Sequence, residues 1–228
     1  MVNINKNNTN SITINNSNKN NTDSITTNNH NNKNTNLILS KLKEIHKNSP
    51  HNSYWNISWD LGEELSKLIK INNPKNILEI GTSNGFSTLW MAKEIDYNSK
   101  VTTIEVDKSR FDEAKNNFIL TKTNNNVLQI QGEIFDILNN SDTFNTIYTP
   151  IFKDKFDFIF LDAAQRRYLE LIQLIEKLNI LNKNSIIVAD NVISHNNMNE
   201  FLAYMKKNYE CKILEKDSGF LIAKSKLG

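Results

Sequence analysis

The chain has 228 residues, of which 38% are hydrophobic and 23% are charged, and its formal net charge is +2. This length suffices for one domain with a substantial hydrophobic core. Residues 1–36 contain three lysines and one aspartate, so this segment accounts for the whole net charge and the remainder is neutral in sum. A basic nucleic-acid-binding domain is therefore not expected, although a local basic patch stays open.

The first 36 residues are predicted to form a disordered, Asn-rich tail. They contain 16 asparagines and no Leu, Phe, Trp or Tyr. A tract with so few large apolar side chains cannot bury enough surface to offset the conformational entropy that folding removes. The folded domain is accordingly predicted to span residues 37–228.

Cysteine content and hydropathy indicate a cytoplasmic protein. Cys211 is the only cysteine, so no internal disulfide can form, and this fits a reducing compartment. The sequence has no run of 18 apolar residues, so no membrane span is expected. The N-terminal residues also lack the apolar segment of a signal peptide.

Two helices are predicted before the first strand. Apolar residues recur at helical spacing from Leu37 to Ile45, and the helix that they indicate ends near Asn48. Ser58 is predicted as the N-cap of a second helix, which reaches Ile69. Three aromatic residues precede or begin this second helix, where they could roof a flat substrate or pack the helices on the sheet: Tyr54, Trp55 and Trp59.

From Asn76 onward, apolar strands alternate with helices, and polar residues 139–150 are predicted as a long loop. Continuous apolar strands separated by helices indicate a parallel sheet covered on both faces, whereas the short turn at 217–219 indicates an antiparallel edge hairpin. The predicted fold class is therefore α/β, a Rossmann-like, doubly wound, mostly parallel seven-stranded sheet. The predicted strands are 77–80, 101–106, 127–131, 156–161, 185–189, 209–214 and 220–223, and the predicted helices among them are 86–94, 109–120, 168–178 and 198–207.

Acidic side chains are predicted at the carboxyl ends of the parallel strands, where ligands bind in such sheets. The turn Gly81–Gly85 has neither a lysine nor the GxGxxG pattern of a pyrophosphate-binding loop. Many carboxylates would repel a pyrophosphate, but they suit a ligand that carries an amine, a ribose and a sulfonium. The acidic residues at these strand ends are Glu79, Glu105, Glu133, Asp162 and Asp190.

Individual residues near the first two strand ends have predicted roles. Gly81 and Gly85 permit close backbone approach to a ligand, although they could also simply build a tight turn. Ser87 can hydrogen-bond a ligand carboxylate at a helix N-terminus. Glu105 closes the second strand, where an acid can accept hydrogen bonds from both ribose hydroxyls.

A second group of polar residues follows the fourth and fifth strands. Asp162 and Asp190 are expected to approach each other, and two close carboxylates stay ionised only around a cation. Together with the Asn191 amide oxygen they form a set of hard oxygen ligands suited to Mg²⁺ or Ca²⁺. The alternative is that each aspartate caps the helix that follows it.

Four segments together carry a family resemblance: LEIGTSNGFS at 78–87, TTIEVD at 102–107, FDFIFLDAA at 156–164 and IVADNV at 187–192. With them the chain resembles class I S-adenosylmethionine-dependent methyltransferases. More narrowly, it resembles the metal-dependent O-methyltransferases that include the catechol and caffeoyl-CoA enzymes. The resemblance covers about residues 52–224.

The resemblance implies transfer of a methyl group to a hydroxyl of a small, aromatic substrate. It assigns the divalent metal to Asp162, Asp190 and Asn191, and it allows a homodimer, for which the sequence itself carries no signal. No nucleic-acid or membrane partner is expected. The residues that it implies around S-adenosylmethionine, with Ile57 beside them, are Ser58, Glu79, Gly81, Ser83, Gly85, Ser87, Glu105, Val106, Gly132, Glu133 and Asp162.

The chain departs from the family pattern at the expected general base. Many relatives have a lysine three residues after the first metal aspartate, where this chain has Gln165, which cannot take up a proton. Asp162, Gln165 and His195 are the candidate catalytic residues, and His195 is one group that could replace the lysine. Otherwise a bound metal ion alone is enough to ionise the substrate hydroxyl without a general base, or the chain is a catalytically silent cofactor-binding protein.

Two further interpretations concern the substrate. Arg166 and Arg167 could recognise an acidic substrate or be ordinary solvated charges. Neither is expected to act as a general base, because the guanidinium group keeps its proton at neutral pH. Bacterial relatives methylate a hydroxylated base of transfer RNA, so a tRNA hydroxyuridine O-methyltransferase is the second enzymatic hypothesis. The neutral charge of residues 37–228 weighs against it.

Overall fold

The computed structural model describes residues 19–48, 55–139, 152–163, 165–193 and 198–225, with side chains from residue 34 onward. Within these ranges the helices are α1 (Lys19–Asn48), α2 (Trp59–Asn72), α3 (Phe86–Ala92), α4 (Lys108–Leu120), α5 (Ile134–Asn139), α6 (Tyr168–Lys177) and α7 (Asn199–Asn208). The strands are β1 (Asn76–Ile80), β2 (Lys100–Glu105), β3 (Val127–Gln131), β4 (Phe156–Leu161), β5 (Leu181–Ala189), β6 (Tyr209–Leu214) and β7 (Phe220–Ser225).

The seven strands form one sheet in the order β3-β2-β1-β4-β5-β7-β6. The first five strands pair in parallel, and β7 pairs antiparallel with both β5 and β6. The predicted doubly wound sheet with an antiparallel edge hairpin is therefore confirmed.

Helices cover both faces of the sheet, as predicted. Alternate residues of a strand point to opposite faces. In β4, Phe158 and Phe160 pack in the cluster that includes α1 to α4, whereas Ile159 and Leu161 pack in the cluster that includes α5 to α7. All four side chains are fully buried, which explains why this strand is apolar throughout.

Helix α1 differs from the prediction at its N-terminal end. It begins at Lys19, so the structure places residues 19–36 in a helix where the sequence predicts a disordered tail. Buried Ile38, Leu42 and Ile45 attach the last turns of the helix to the core. Once those turns are fixed, each added turn needs no new nucleus, so even asparagine-rich residues can continue the helix. The tail prediction for residues 1–18 lies outside the described residues.

Two smaller differences concern helix α5 and the start of strand β5. Helix α5 was not predicted, because its apolar residues are too few to show a helical period. Strand β5 begins at Leu181, four residues before the predicted start. Most of the predicted loop at 139–150 lies outside the described residues.

In the described part of the chain, no helix has the length and apolar character that crossing a bilayer requires.

Packing between α2 and α3 depends on a glycine. A Cβ at Gly62 would lie 2.5 Å from Cδ1 and 2.6 Å from Cε2 of Trp90, which is itself buried. Trp90 also packs edge-on against Trp59 at a ring separation of 4.9 Å. The indole is therefore enclosed and cannot swing away.

We predict that Gly62→Ala destabilises the protein, although alanine is the better helix former by about 1 kcal/mol. Forcing a methyl group into a packed core costs about 1–3 kcal/mol, so the clash outweighs the helix propensity. Urea unfolding measures the effect, and Lys67→Ala on the exposed side of the same helix is the control, with an expected change within about 0.5 kcal/mol. A Gly62→Ala variant as stable as the parent protein would refute this account of the packing.

Candidate functional site

The carboxyl ends of β1, β2 and β3 surround a pocket of about 110 Å³. Five of the nine lining residues are among those that the sequence places around a cofactor: Gly81, Glu105, Val106, Gly132 and Glu133. The others are Ile80, Ile104, Ile134 and Ala163. The residues brought together here are far apart in sequence, and the parallel register of the strands aligns them.

The two glycines of the turn after β1 are required by the fold itself. Gly81 has φ +103°, and a Cβ there would lie 2.7 Å from the Asp162 carbonyl oxygen. Gly85 has φ +86°, and its Cβ would lie 2.7 Å from a ring carbon of Phe118. Both positions combine a backbone conformation that favours glycine with a close neighbour. The tight-turn interpretation therefore accounts for both glycines, whereas their approach to a ligand stays a prediction.

Glu105 is nearly buried, and backbone groups fix the orientation of its carboxylate. One oxygen accepts a hydrogen bond from the Ser83 N–H at 2.8 Å, and the other accepts from the Asp107 N–H at 2.9 Å. An ionised carboxylate has about four acceptor positions, so capacity for two more donors remains. Because Glu105 lines the pocket, this geometry supports the predicted contact with two ribose hydroxyls.

Glu79 lies fully buried beneath this turn and is surrounded by hydroxyl groups. The Ser87 hydroxyl donates to one carboxylate oxygen at 2.5 Å, and the Thr103 hydroxyl donates to the other at 2.6 Å. Thr88 also donates to the second oxygen. Burial raises the pKa of Glu79 to about 7, since the hydroxyl donors offset only part of the lost hydration.

This network changes the predicted role of Ser87. A hydroxyl has one proton, and that of Ser87 is donated to Glu79. While this bond holds, Ser87 has only acceptor capacity left for a ligand, and its predicted contact with a ligand carboxylate stays a prediction. Thr103 was missed by sequence reasoning. Its position opposite Glu79 in the β1–β2 register was the available signal.

Asp162 and Asp190 follow the neighbouring strands β4 and β5, as predicted. Burial and then the charge of Asp190 raise the pKa of Asp162 well above its ordinary value, as expected for two carboxyl groups that lie close together. Asn191 follows Asp190 directly, and its side-chain amide donates to Asp190 Oδ2 at 3.0 Å. Buried Tyr168, also missed by sequence reasoning, donates to the Leu161 carbonyl oxygen at 2.8 Å. Burial, and then the charges of both aspartates, raise its pKa well above the ordinary value.

These residues offer oxygen ligands of the kind that suits a hard divalent cation. The residues at the N-caps of α6 and α7 are Arg167 and Met198, so neither aspartate caps the next described α-helix. No group of three or more His, Cys, Asp and Glu side chains suited to a metal occurs among the described residues. The candidate site therefore depends on two carboxylates and the amide oxygen of Asn191.

The predicted base position is the first residue of a short 3₁₀ turn, Gln165–Arg167. In the described residues Gln165 and Arg166 have no hydrogen-bond or ion-pair partner. Arg167 is committed to protein contacts, because it pairs with Glu170 at 2.8 Å and stacks 3.3 Å above the Phe135 ring. Of the two arginines, only Arg166 stays available for an acidic substrate. His195 lies outside the described residues.

Glu133 has a local partner that the sequence interpretation did not include. Its carboxylate accepts hydrogen bonds from the N–H groups of Phe135 and Asp136, at 2.7 and 3.0 Å, and so caps α5. The Arg167 guanidinium lies 3.9 Å away from it. Glu133 still lines the pocket beside Gly132, where the predicted adenine contact remains untested.

The segment before α2 contains both buried and exposed residues. Ser58 is the N-cap, as predicted, and its hydroxyl accepts from the Leu61 N–H at 3.3 Å, while Ile57 is buried. Trp59 packs at 5.4 Å from the His46 ring, which supports the packing interpretation for this residue. Trp55 is 70% exposed and stays available for a substrate, whereas Tyr54 lies outside the described residues.

Comparison with known proteins identifies the family. The family model described as O-methyltransferase matches residues 28–218. The chain therefore belongs to the O-methyltransferase family, as the sequence motifs predicted. The match begins inside the predicted tail, which agrees with the early start of α1.

Individual relatives agree with this assignment. The catechol O-methyltransferase of Niastella koreensis is 33% identical over 137 residues, which are 60% of this chain and 58% of that protein. The chain thus spans little more than half the length of such a curated relative.

Solved structures show the same fold. An O-methyltransferase from Bacillus cereus, in complex with SAH, is 26% identical with a TM-score of 0.69, covering 82% of this chain and 91% of that one. The O-methyltransferase TomG from Streptomyces achromogenes, in complex with SAM, is 22% identical with a TM-score of 0.68, covering 82% and 89% of the two chains.

The acidity of Glu79 predicts a pH-dependent stability. In the unfolded chain the pKa of this glutamate is near the ordinary value of 4.5, whereas in the folded chain its pKa is about 7. The folded state therefore binds more protons between these values, and stability is lost as the pH rises through them. The expected loss is roughly 3 kcal/mol between pH 4 and pH 8.

Urea unfolding of the parent protein and of Glu79→Gln across this range tests the prediction. The glutamine cannot ionise, so the difference in unfolding free energy between the two proteins should shift in favour of the variant as the pH rises. A difference that stays constant with pH would mean that Glu79 is not a buried titrating group.

Proposed function

We propose that this protein transfers a methyl group from S-adenosylmethionine to a hydroxyl of a small aromatic substrate, with the assistance of a divalent cation. The observation that carries the proposal is the acidic edge of the sheet, where Glu105 borders a pocket and Asp162 and Asp190 lie beside it. Negative side chains at this edge favour a cationic sulfonium donor and a metal ion together. The catechol O-methyltransferase relative supports the choice of a phenolic substrate.

Residues after β1 and β2 would hold the donor. Glu105, fixed by two backbone N–H groups, would accept the ribose hydroxyls, and the glycine turn at 81–85 would lie against the methionine part. Ser87 would accept from the amino group, since its proton is donated to Glu79. When bound, the cofactor supplies a methyl group on a positively charged sulfur.

Residues after β4 and β5 would hold the divalent cation and, through it, the substrate. Asp162, Asp190 and Asn191 offer carboxylate and amide oxygens, which suit Mg²⁺ or Ca²⁺. A bound cation favours the ionised form of a hydroxyl beside it. Most of the rate enhancement would then come from positioning and charge, because Gln165 cannot accept the hydroxyl proton.

A screen for methyl transfer tests the proposal directly. Isotope-labelled S-adenosylmethionine is incubated with phenols, catechols, acyl-CoA esters and transfer RNA, with and without Mg²⁺. Transfer to a catechol or phenol is expected. Transfer only to RNA would favour the tRNA alternative, and cofactor binding without any transfer would indicate a catalytically silent protein.

We predict that Glu105→Gln weakens S-adenosylmethionine binding at least tenfold. The variant loses the charged acceptor for two hydroxyls, and a hydrogen bond to a charged group contributes about 1.5–3 kcal/mol. Calorimetric titration measures the affinity, with circular dichroism as the check on folding. Asp96→Asn is the matched control, because Asp96 forms an exposed pair with Lys75 at the amino ends of β1 and β2. Equal affinities for Glu105→Gln and the parent would exclude the ribose contact.

We predict that Asp190→Asn weakens the response of the enzyme to Mg²⁺ while it raises the free energy of unfolding of the metal-free protein. The substitution replaces a charged oxygen ligand with a neutral amide oxygen, and it removes the negative charge that adds to burial in raising the pKa of Asp162. Activity with Mg²⁺ or EDTA and urea unfolding without metal measure the two effects. If Asp190→Asn keeps full activity and stays sensitive to EDTA, the cation is bound elsewhere.

A further inference from the structure

The loop after β5 is attached to the turn between β6 and β7. The turn is closed by a hydrogen bond from the Gly219 N–H to the Lys216 carbonyl oxygen at 2.9 Å. Val192 then donates its N–H to the Gly219 carbonyl oxygen at 3.1 Å, and Ile193 donates to that of Ser218 at 2.8 Å. Two successive residues of the loop are thus fixed to the turn by their backbones.

Gly219 also allows a side chain to lie directly against the turn. Its φ is +84°, and a Cβ at this position would lie 2.6 Å from Cδ1 and 2.9 Å from Cβ of Ile193. Rotation of the isoleucine about χ1 cannot move its own Cβ. A side chain at residue 219 would therefore displace the backbone of Ile193 or that of the turn.

The displaced segment is the one that presents the proposed metal ligands. Asn191 has φ +60°, and it is followed by Val192, which is fully buried in the core. On the other side, the Asp190 N–H donates to the Leu161 carbonyl oxygen at 3.0 Å. Asn191 therefore lies between two backbone hydrogen bonds, one from Asp190 to Leu161 and one from Val192 to the β6–β7 turn. A displacement of the loop at Val192 or Ile193 is expected to move Asn191 as well.

We propose that Gly219 is a positioning residue for the divalent-cation site, because its lack of a side chain lets Ile193 lie against the turn and so fixes Asp190 and Asn191. This inference rests on the proposed function. Residues that orient metal ligands without touching the metal typically change metal affinity or activity by 10–100-fold when they are substituted.

Binding of Mn²⁺ to the full chain, followed by electron paramagnetic resonance, is the test. We expect Gly219→Ala to weaken Mn²⁺ binding at least tenfold and to leave the calorimetric affinity for S-adenosylmethionine within twofold of the parent value. A general loss of folding would lower both affinities, so the pair of measurements separates positioning from damage to the whole domain.

A second substitution tests the contact itself. Ile193 is 53% exposed, so Ile193→Gly is expected to fold, and it removes all the side-chain atoms, Cβ included, that a Cβ at residue 219 would meet. The double variant Gly219→Ala/Ile193→Gly should regain most of the Mn²⁺ affinity. Asn73→Ala is the control for backbone strain, because Asn73 also has a positive φ but lies at the C-terminal end of α2, and its Mn²⁺ affinity should equal that of the parent.

If Gly219→Ala binds Mn²⁺ with the parent affinity, the inference about Gly219 is overturned, but the proposed metal site is not. The same holds if the Mn²⁺ affinity of the double variant remains tenfold weaker than that of the parent. If Gly219→Ala does not fold, the double variant decides by the same criterion. Absence of saturable Mn²⁺ binding to the parent protein would overturn the inference together with the proposed metal site.

Discussion

The parallel register of four strands is the constraint on which the site depends. Ile80 pairs with both Ile104 and Leu161, and Leu161 pairs with Ala189, so the ends of β2, β1, β4 and β5 coincide. The residues that close or follow these strands therefore meet at one edge, although they come from distant parts of the sequence. Because side chains alternate along a strand, a slip of one residue would turn the acids to the opposite face, and the buried apolar strands prevent this.

Carboxylates at a half-buried edge of the sheet lose hydration and repel one another. Different contacts offset this unfavourable free energy at each carboxylate. Glu105 receives backbone N–H groups, Glu79 receives three hydroxyls, and Glu133 caps a helix. Asp162 is buried beside Asp190, and burial and then that negative charge raise its pKa. A bound cation would relieve this repulsion, so the least compensated carboxylates are those assigned to the metal.

The fold was predictable from the sequence because long apolar strands, intervening helices and a short final turn all indicated the same sheet. The acids at the strand ends followed from that sheet. Thr103 was not found, because its contact with Glu79 depends on register. The bond from Ser87 to Glu79 was not found either, because a hydroxyl proton can go to either of two carboxylates. The start of α1 was missed, because the asparagine-rich residues show no helical spacing of apolar side chains. They extend, toward the N-terminus, a helix whose last turns are fixed by packing on the core.

The central claim is that the acidic edge selects a cationic methyl donor over a pyrophosphate-containing dinucleotide, although a Rossmann-like sheet can bind either. Calorimetric titration of the full chain with S-adenosylmethionine and, separately, with NAD tests this claim most directly. Saturable binding of one S-adenosylmethionine per chain, with no heat of binding for NAD, is the predicted result. Binding of NAD by a folded protein that does not bind S-adenosylmethionine would contradict it.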